Sequence, residues 1–168
     1  MDRIAKDQTA SAPASREGKY LTFALAQEEY GIGILKVKEI IGIMAITTVP
    51  RTPAYVKGVI NLRGKVIPVV DLRLKFGMEV AKYTERTCII VVEVSSGQKK
   101  ILMGSIVDSV SEVLNIKAGE IESTPNFGSS LDTDYILGLA KTNNGVKILL
   151  DIDKVLSGSE FAGVSVAA

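Results

Sequence analysis

The strongest constraint on the fold of this chain is a pattern that occurs twice. From Gly58 to Asp71 the chain reads as a glycine, a strand, a polar turn with glycine, an apolar strand and an aspartate. The same order runs from Gly138 to Asp151, 80 residues further along. A short apolar stretch follows each aspartate and predicts a brief helix, with the aspartate as its N-cap. Repetition at this spacing favours two related lobes.

A second pair of matching segments precedes the first pair. Val37–Ile41 and Val110–Leu114 share one apolar pattern and lie 73 residues apart. Two similar offsets in the same order favour a duplication, whereas chance recurrence of hairpin and cap signals is the alternative. The duplication predicts two small, curved antiparallel sheets, each closing into a barrel that removes its edges.

The apolar periodicity is mostly that of strands, so the chain is predicted to be mainly β with short helices. A helix is expected over 35–41, ended by Gly42, because three apolar residues there have helical spacing. Pro68 predicts an edge strand over 65–70, since proline cannot donate to a ladder. The other expected strands are 20–25, 30–34, 43–49, 58–62, 87–94, 99–107, 136–142 and 146–150, and the other expected helices are 72–76 and 153–156.

The domain boundaries follow from composition. Residues 1–17 are polar and rich in Ala and Ser, which predicts a mobile tail, and 159–168 are expected to fray. The polar stretch 78–85 divides a single domain over 18–158 into a first lobe of about 18–82 and a second of about 83–158. Whether elements are exchanged between the lobes stays open.

Several function classes are excluded by what the chain lacks. It has no histidine, so mechanisms that need an imidazole base or ligand are ruled out. The single cysteine, Cys88, cannot form an internal disulfide or a paired-cysteine zinc site, and its apolar surroundings predict a buried hydrophobe. A net charge of +1 and the absence of Trp argue against nucleic-acid binding. We expect no enzymatic activity, cofactor or metal.

No apolar segment approaches the roughly 20 residues of a membrane span, so a soluble protein is expected. The single cysteine favours a cytoplasmic location. Asp108 and Glu112 lie four residues apart and, if helical, are interpreted as a solvated face and not as an acid–base pair.

The remaining candidates belong to interaction surfaces. Arg63, at the tip of a predicted hairpin, is either a solvated turn charge or a guanidinium placed for a partner. Val37, Val110 and Val113 are either core residues, which is favoured, or the lining of a groove.

A family resemblance rests on three segments: Glu29–Ile32, Gly58–Leu72 and Val107–Leu114. The turn Asn-Leu-Arg-Gly, followed by Ile-Pro-Val-Val-Asp-Leu, is highly specific in order and spacing. Over about residues 18–158 the chain resembles the CheW family of bacterial chemotaxis coupling proteins. The resemblance implies two five-stranded, SH3-like barrels packed side by side. It also implies a non-enzymatic adaptor that joins methyl-accepting chemoreceptors to the histidine kinase CheA, as a monomer outside receptor arrays that meets membranes only through receptors.

The resemblance also implies which residues bind each partner. A receptor hairpin tip would lie in the groove between the lobes, on Val37, Glu39, Arg63, Val110 and Val113. In that groove the Arg63 guanidinium is expected to pair with the Glu39 carboxylate before a receptor arrives.

The regulatory domain of CheA would bind the first lobe near Ile41–Ile46, through Ile41, Ile43 and Ile46. A second contact near Phe127 would close mixed rings in receptor arrays. Two alternatives stay open: a coupling protein of a related chemosensory pathway that does not control motility, and a small β-barrel module that binds a nucleic acid or a small ligand.

Overall fold

The computed structural model describes residues 16–123, 133–143 and 145–156. Short 3₁₀ turns at Ile34–Lys36, Ala118–Glu120 and Thr133–Tyr135 join some of its elements. The strands and helices are β1 (Gly18–Leu25), β2 (Glu28–Gly33), β3 (Val37–Gly42), β4 (Val56–Leu62), β5 (Lys65–Asp71), α1 (Leu72–Lys75), β6 (Cys88–Ser96), β7 (Lys99–Val107), β8 (Ser109–Ile116), β9 (Ile121–Glu122), β10 (Ile136–Thr142), β11 (Gly145–Leu150) and α2 (Ile152–Val155).

The strands form two sheets, which confirms the predicted mainly-β class. One sheet has five strands in the order β3-β6-β7-β5-β4, and the other has six in the order β8-β1-β2-β11-β10-β9. The sixth strand is the two-residue β9, which pairs with β10. The described hairpins β1–β2, β4–β5, β6–β7 and β10–β11 lie where the alternating patterns predict them.

The sheets do not follow the predicted lobe boundary near residue 82. Hairpin β1–β2 comes from the first half of the chain, yet it pairs with β8 and β11 of the second half. Hairpin β6–β7 comes from the second half and pairs with β3 and β5 of the first. The two halves therefore exchange hairpins reciprocally, and each sheet contains strands from both.

The duplication read from the sequence is a duplication of structure. The unit β4–β5–α1 corresponds to β10–β11–α2, β1–β2 corresponds to β6–β7, and β3 corresponds to β8. The parallel contacts show the equivalence most directly, because Val69 pairs with Gly104 in one sheet and Leu149 pairs with Gly31 in the other. Below, the first repeat means β1–β5 with α1, and the second repeat means β6–β11 with α2.

Both predicted helix caps are present. The Asp71 carboxylate accepts the backbone N–H groups of Arg73 and Leu74, at 3.0 and 3.4 Å. The Asp151 carboxylate accepts the N–H of Lys154 at 3.3 Å. Each aspartate thereby satisfies amides that a short helix leaves without a partner in its first turn.

The predicted helix over 35–41 is wrong, since residues 37–42 form strand β3. Val37, Ile40 and Ile41 have helical spacing, but they are β-branched and suit a strand equally well. Pairing with β6 decides between the two conformations. Strand geometry turns Ile40 to the exposed side, where 43% of its surface is accessible.

The prediction that Pro68 marks an edge strand is also wrong. Strand β5 lies inside its sheet, between β4 and β7. Pro68 stands opposite Val59, and both backbone groups of Val59 bond to Thr47 instead, at 2.8 and 2.9 Å. The pairing of β5 with β7 starts only at Val69. No ladder bond needs a donor at Pro68, so an interior strand tolerates the proline.

The principal core lies between the two sheets. Phe23 and Leu25 from the six-stranded sheet pack in one buried cluster with Val92 and Met103 from the five-stranded sheet. Burial of each such side chain contributes about 1.5–3 kcal/mol. Each sheet also has a smaller cluster of its own. The shared cluster fixes the position of one lobe against the other.

No helix within the described residues is long and apolar enough to cross a membrane.

Candidate interaction surface

The β4–β5 turn projects Arg63 from the five-stranded sheet. Leu62 pairs with Lys65, which leaves Arg63 and Gly64 as a two-residue turn with φ angles of 51° and 89°. Positive φ at both positions is typical of type I′ hairpins, which follow the twist of the strands. The Asn61 side-chain oxygen accepts the N–H of Gly64 at 2.8 Å and stabilises the turn. Arginine at such a position is unusual, since only glycine and asparagine adopt it readily.

Arg63 and Glu39 form the ion pair that the sequence predicts. Arg63 Nη1 donates to Glu39 Oε2 at 3.0 Å, and Nη2 donates to Oε1. The side chain of Arg63 is 69% exposed and that of Glu39 is 31% exposed. The hydrogen bonds from Arg63 lower the pKa of Glu39. The two-point contact orients the guanidinium while leaving much of it open to a partner.

The pair lies at the rim of a shallow groove on the five-stranded sheet. Ile67, Val91 and Leu102 provide apolar lining, and Lys65 and Lys100 add positive charge. This groove therefore combines apolar surface with orientable charges. That combination suits a protein segment carrying both kinds of group.

The other predicted receptor residues are only partly brought together. Val37 in β3 and Val110 in β8 come from different sheets, yet both pack against the shared core. Val113 is 48% exposed on β8 and is not among the residues that line the Arg63 groove. Of the five residues, Glu39 and Arg63 are in direct contact with each other.

A second groove lies where the two sheets meet. Val110 and Ala24 line it from the six-stranded sheet, and Cys88 and Arg86 line it from the start of β6. Cys88 is partly buried, less than its apolar neighbours predict, and its thiol lies 3.1 Å from the Arg86 carbonyl oxygen. No pattern in the sequence marks Arg86 or Cys88 as surface residues, because this groove forms only where the two sheets meet.

The predicted kinase-binding residues differ in exposure. Ile41 and Ile46 pack against the core cluster of the five-stranded sheet. Ile43 is 38% exposed, and nearby Ile40, which was placed on a helix, is exposed as well. Phe127 lies outside the described residues.

The acidic residues at 108 and 112 are not on a helical face. Asp108 precedes β8 and binds Arg73, while the backbone of Glu112 bonds to the Thr22 hydroxyl within the sheet. Burial raises the pKa of Asp108, but the hydrogen bonds from Arg73 and from the Ala26 N–H outweigh it, so the pKa is lowered. In the part of the chain that is described, no three His, Cys, Asp or Glu side chains are grouped to hold a metal ion.

The fold and these grooves define a two-lobed β protein of the interaction-module class. The chain matches the model of the CheW-like domain over residues 19–160. It is 44% identical over 144 residues to the chemotaxis protein CheW of Klebsiella aerogenes, covering 86% of this chain and 84% of that protein. It is 35% identical over 140 residues to CheW of Rhizobium meliloti, covering 83% and 88%.

Among solved structures, the scaffolding protein TtCheW from Thermoanaerobacter tengcongensis is similar, with a TM-score of 0.75 and 36% identity. The match covers 86% of this chain and 95% of that one. The chain belongs to the CheW-like domain family and has an adaptor role in chemotaxis signalling. Its two lobes are SH3-like, as the resemblance implies.

Proposed function

We propose that this chain couples methyl-accepting chemoreceptors to the histidine kinase CheA, without catalysis and without a cofactor. Family membership over residues 19–160 carries the proposal. We further propose that it acts in the cytoplasm and meets the membrane only through receptors. An adaptor of this kind needs two separate surfaces, because both partners must bind at once.

The proposed receptor surface consists of Val37, Glu39, Arg63, Val110 and Val113. Its most specific feature is the exposed Arg63 guanidinium, held by Glu39 at the rim of a groove with an apolar lining. A receptor helix lying across the rim would desolvate this pair. Desolvated charge pairs in the centre of an interface contribute more to binding than exposed ones.

The proposed kinase surface is the segment around Ile43, with Ile41 and Ile46 supporting it from the core, and with Phe127 at a second contact. Ile43 is exposed, while its two apolar neighbours are partly buried. Anchored neighbours hold an exposed apolar side chain in place, which lowers the entropy lost on binding. The regulatory domain of CheA is the proposed partner.

Calorimetric titrations test the proposal. The chain is titrated with a receptor signalling fragment, with the CheA regulatory domain, and with each after saturation by the other. We expect binding in all four titrations, because the surfaces are separate. Binding of neither protein, together with binding of a nucleic acid or a small ligand, would favour the β-barrel ligand-binding alternative. If both partners bind normally, but a strain that lacks this chain still swims toward attractants, the result would favour a chemosensory pathway that does not control motility.

A further inference from the structure

Equivalent positions of the two repeats carry opposite charges. Arg73 in α1 and Asp153 in α2 each lie two residues after the N-cap aspartate. Arg73 donates from Nε and Nη2 to the two oxygens of Asp108, both at 2.8 Å. Asp153 accepts from Lys36 Nζ at 2.7 Å. A cation on one helix therefore corresponds to a carboxylate on the other.

The partners of these helix residues lie in equivalent connecting segments, one position apart: Lys36 corresponds to Ser109, the residue after Asp108. Lys36 lies between β2 and β3, and Asp108 lies between β7 and β8. In each pair, the helix of one repeat binds the residue that follows the hairpin of the other repeat. The sign of the charge is reversed at both ends, so each pair is complementary.

A third pair, of a buried lysine and a glutamate that is 36% exposed, distinguishes the two sheets. Lys147 stands opposite Glu29 in the six-stranded sheet, with Nζ 2.7 Å from Oε1 and only 6% of the lysine side chain exposed. The equivalent positions in the five-stranded sheet, two residues before Val69 and Gly104, are Ile67 and Leu102. These two pack in that sheet's apolar cluster. An ion pair in one lobe thus replaces an apolar contact in the other.

These pairs disfavour assemblies of two chains in which like repeats exchange hairpins, that is, a first repeat with a first repeat or a second repeat with a second repeat. If the first repeats of two chains exchanged hairpins, Arg73 would meet Leu35 in place of Asp108, with Lys36 beside it and no carboxylate in the segment Ile34–Lys36. Glu29 would lie against Ile67 without a cation. If two second repeats did so, Asp153 would meet Ser109 in place of Lys36, with Asp108 beside it, and the buried Lys147 would lie against Leu102. Like charges in contact and unpaired buried charges are both strongly unfavourable.

We propose that the three charge pairs allow a first repeat to exchange hairpins only with a second repeat, so that two chains do not assemble by exchange between like repeats. Tandem homologous units are prone to combine wrongly during folding, since each can accept the other's strands. Opposite charges on the two helices, together with an ion pair in one sheet only, disfavour the wrong combinations, whereas the correct combination gives each of these charges a partner. The intended partner of each repeat is the other repeat of the same chain.

Three variants of the full chain test this proposal. The reversal variant, Arg73→Asp with Asp153→Arg, makes the helix pairs repulsive in the native combination. Between like repeats it brings each helix residue close to an opposite charge, the new aspartate at position 73 to Lys36 and the new arginine at position 153 to Asp108. The neutral variant, Arg73→Gln with Asp153→Asn, removes the pairs without repulsion. The restored variant adds Lys36→Asp and Asp108→Lys to the reversal. Each is refolded from urea over a range of protein concentrations, then analysed by light scattering and urea titration.

We expect the reversal variant to have a lower urea midpoint than the neutral variant and to form dimers in a proportion that rises with concentration. The restored variant should regain the midpoint and the oligomeric state of the unmodified chain. If the reversal variant does not refold, the restored variant decides: its refolding supports the proposal, and a restored variant that also fails to refold contradicts the proposal. A reversal variant that dimerises no more than the neutral one would overturn the proposal, since the pairs would then stabilise without selecting.

Discussion

Tyr55 and Tyr135 occupy equivalent positions in the two repeats, and the carbonyl oxygen of each accepts the N–H of the N-cap aspartate at 2.8 Å. Both rings lie close to one cation. Lys75 Nζ is 4.4 Å from the ring centroid of Tyr55 and 5.6 Å from that of Tyr135. One side chain of the first repeat thereby links both copies of the same local structure.

The substitution Lys75→Gln should lower the free energy of unfolding by about 0.5–2 kcal/mol, because it removes a cation from two aromatic faces. Lys75→Arg is the matched control and should keep most of that stability. Urea titration of the three proteins measures the difference. Equal stability of the glutamine and arginine variants would show that the charge over the rings contributes nothing.

Gly58 is required by the close approach of residue 47. It has a φ of 140°, and a Cβ added there would lie 2.0 Å from the Thr47 carbonyl oxygen. Gly58→Ala should therefore destabilise the protein by more than about 3 kcal/mol or prevent folding, since backbone must move. Gly33→Ala is the control and should be much milder, since no atom of the described residues beyond its chain neighbours lies within 4 Å of such a Cβ. Comparable thermal midpoints for the two variants would contradict this account.

Acid should weaken the contact between Asp108 and Arg73. The pKa of Asp108 lies below its ordinary value of 3.8 in the folded protein. A carboxyl group with a lowered folded pKa stabilises fully above the unfolded pKa and loses its contribution as pH falls through the folded one. The stability difference between the unmodified chain and Asp108→Asn should be constant from pH 7 to about pH 5 and shrink below about pH 4. A difference that stays constant down to pH 3 would contradict the assignment.

Arg63→Ala should leave the melting temperature nearly unchanged, because an exposed ion pair contributes little to folding. Receptor binding should weaken by about 10- to 100-fold, while CheA binding stays normal. Arg63→Lys should rescue only part of the loss, since an ammonium lacks the planar fork. Arg63→Asn is a further control, because asparagine suits a positive φ and removes backbone strain as an explanation. Unchanged receptor affinity in the folded alanine variant would make Arg63 a solvated turn charge.

Ile43→Asp should lower the affinity for the CheA regulatory domain by roughly 2–4 kcal/mol, because it places a charge in a desolvated contact. Val80→Asp provides the control, since Val80 is 77% exposed and lies outside the proposed surface. Titration calorimetry with both partners measures the effects. Loss of receptor binding with normal kinase binding would mean that the two surfaces are reversed.

The local features that sequence predicts well here have local causes. The turn at Arg63-Gly64 and the caps at Asp71 and Asp151 follow from residue types at fixed offsets, and the structure contains all three. The helix predicted over 35–41 failed because apolar spacing alone does not separate a helix from a strand that a distant partner selects.

The exchange of hairpins could not be derived from the sequence repeat. An arrangement in which each repeat keeps its own hairpin would join equivalent strands in the same order as the exchanged arrangement does. What decides between them are contacts such as Lys147–Glu29, whose partners are more than 100 residues apart. The exposure of Cys88 and the position of Val110 follow from that exchange. The Glu39–Arg63 pair was accessible from sequence because the resemblance places both residues on one surface.

The proposed adaptor role requires one chain to hold a receptor and CheA at the same time. The most direct measurement is the autophosphorylation rate of CheA with a receptor signalling fragment, with and without this chain. We expect receptor-dependent activation to require the chain, and we expect the Arg63→Ala variant to abolish that activation although it still binds the kinase. Full receptor control of CheA in the absence of the chain, or no change on adding it, would contradict the account.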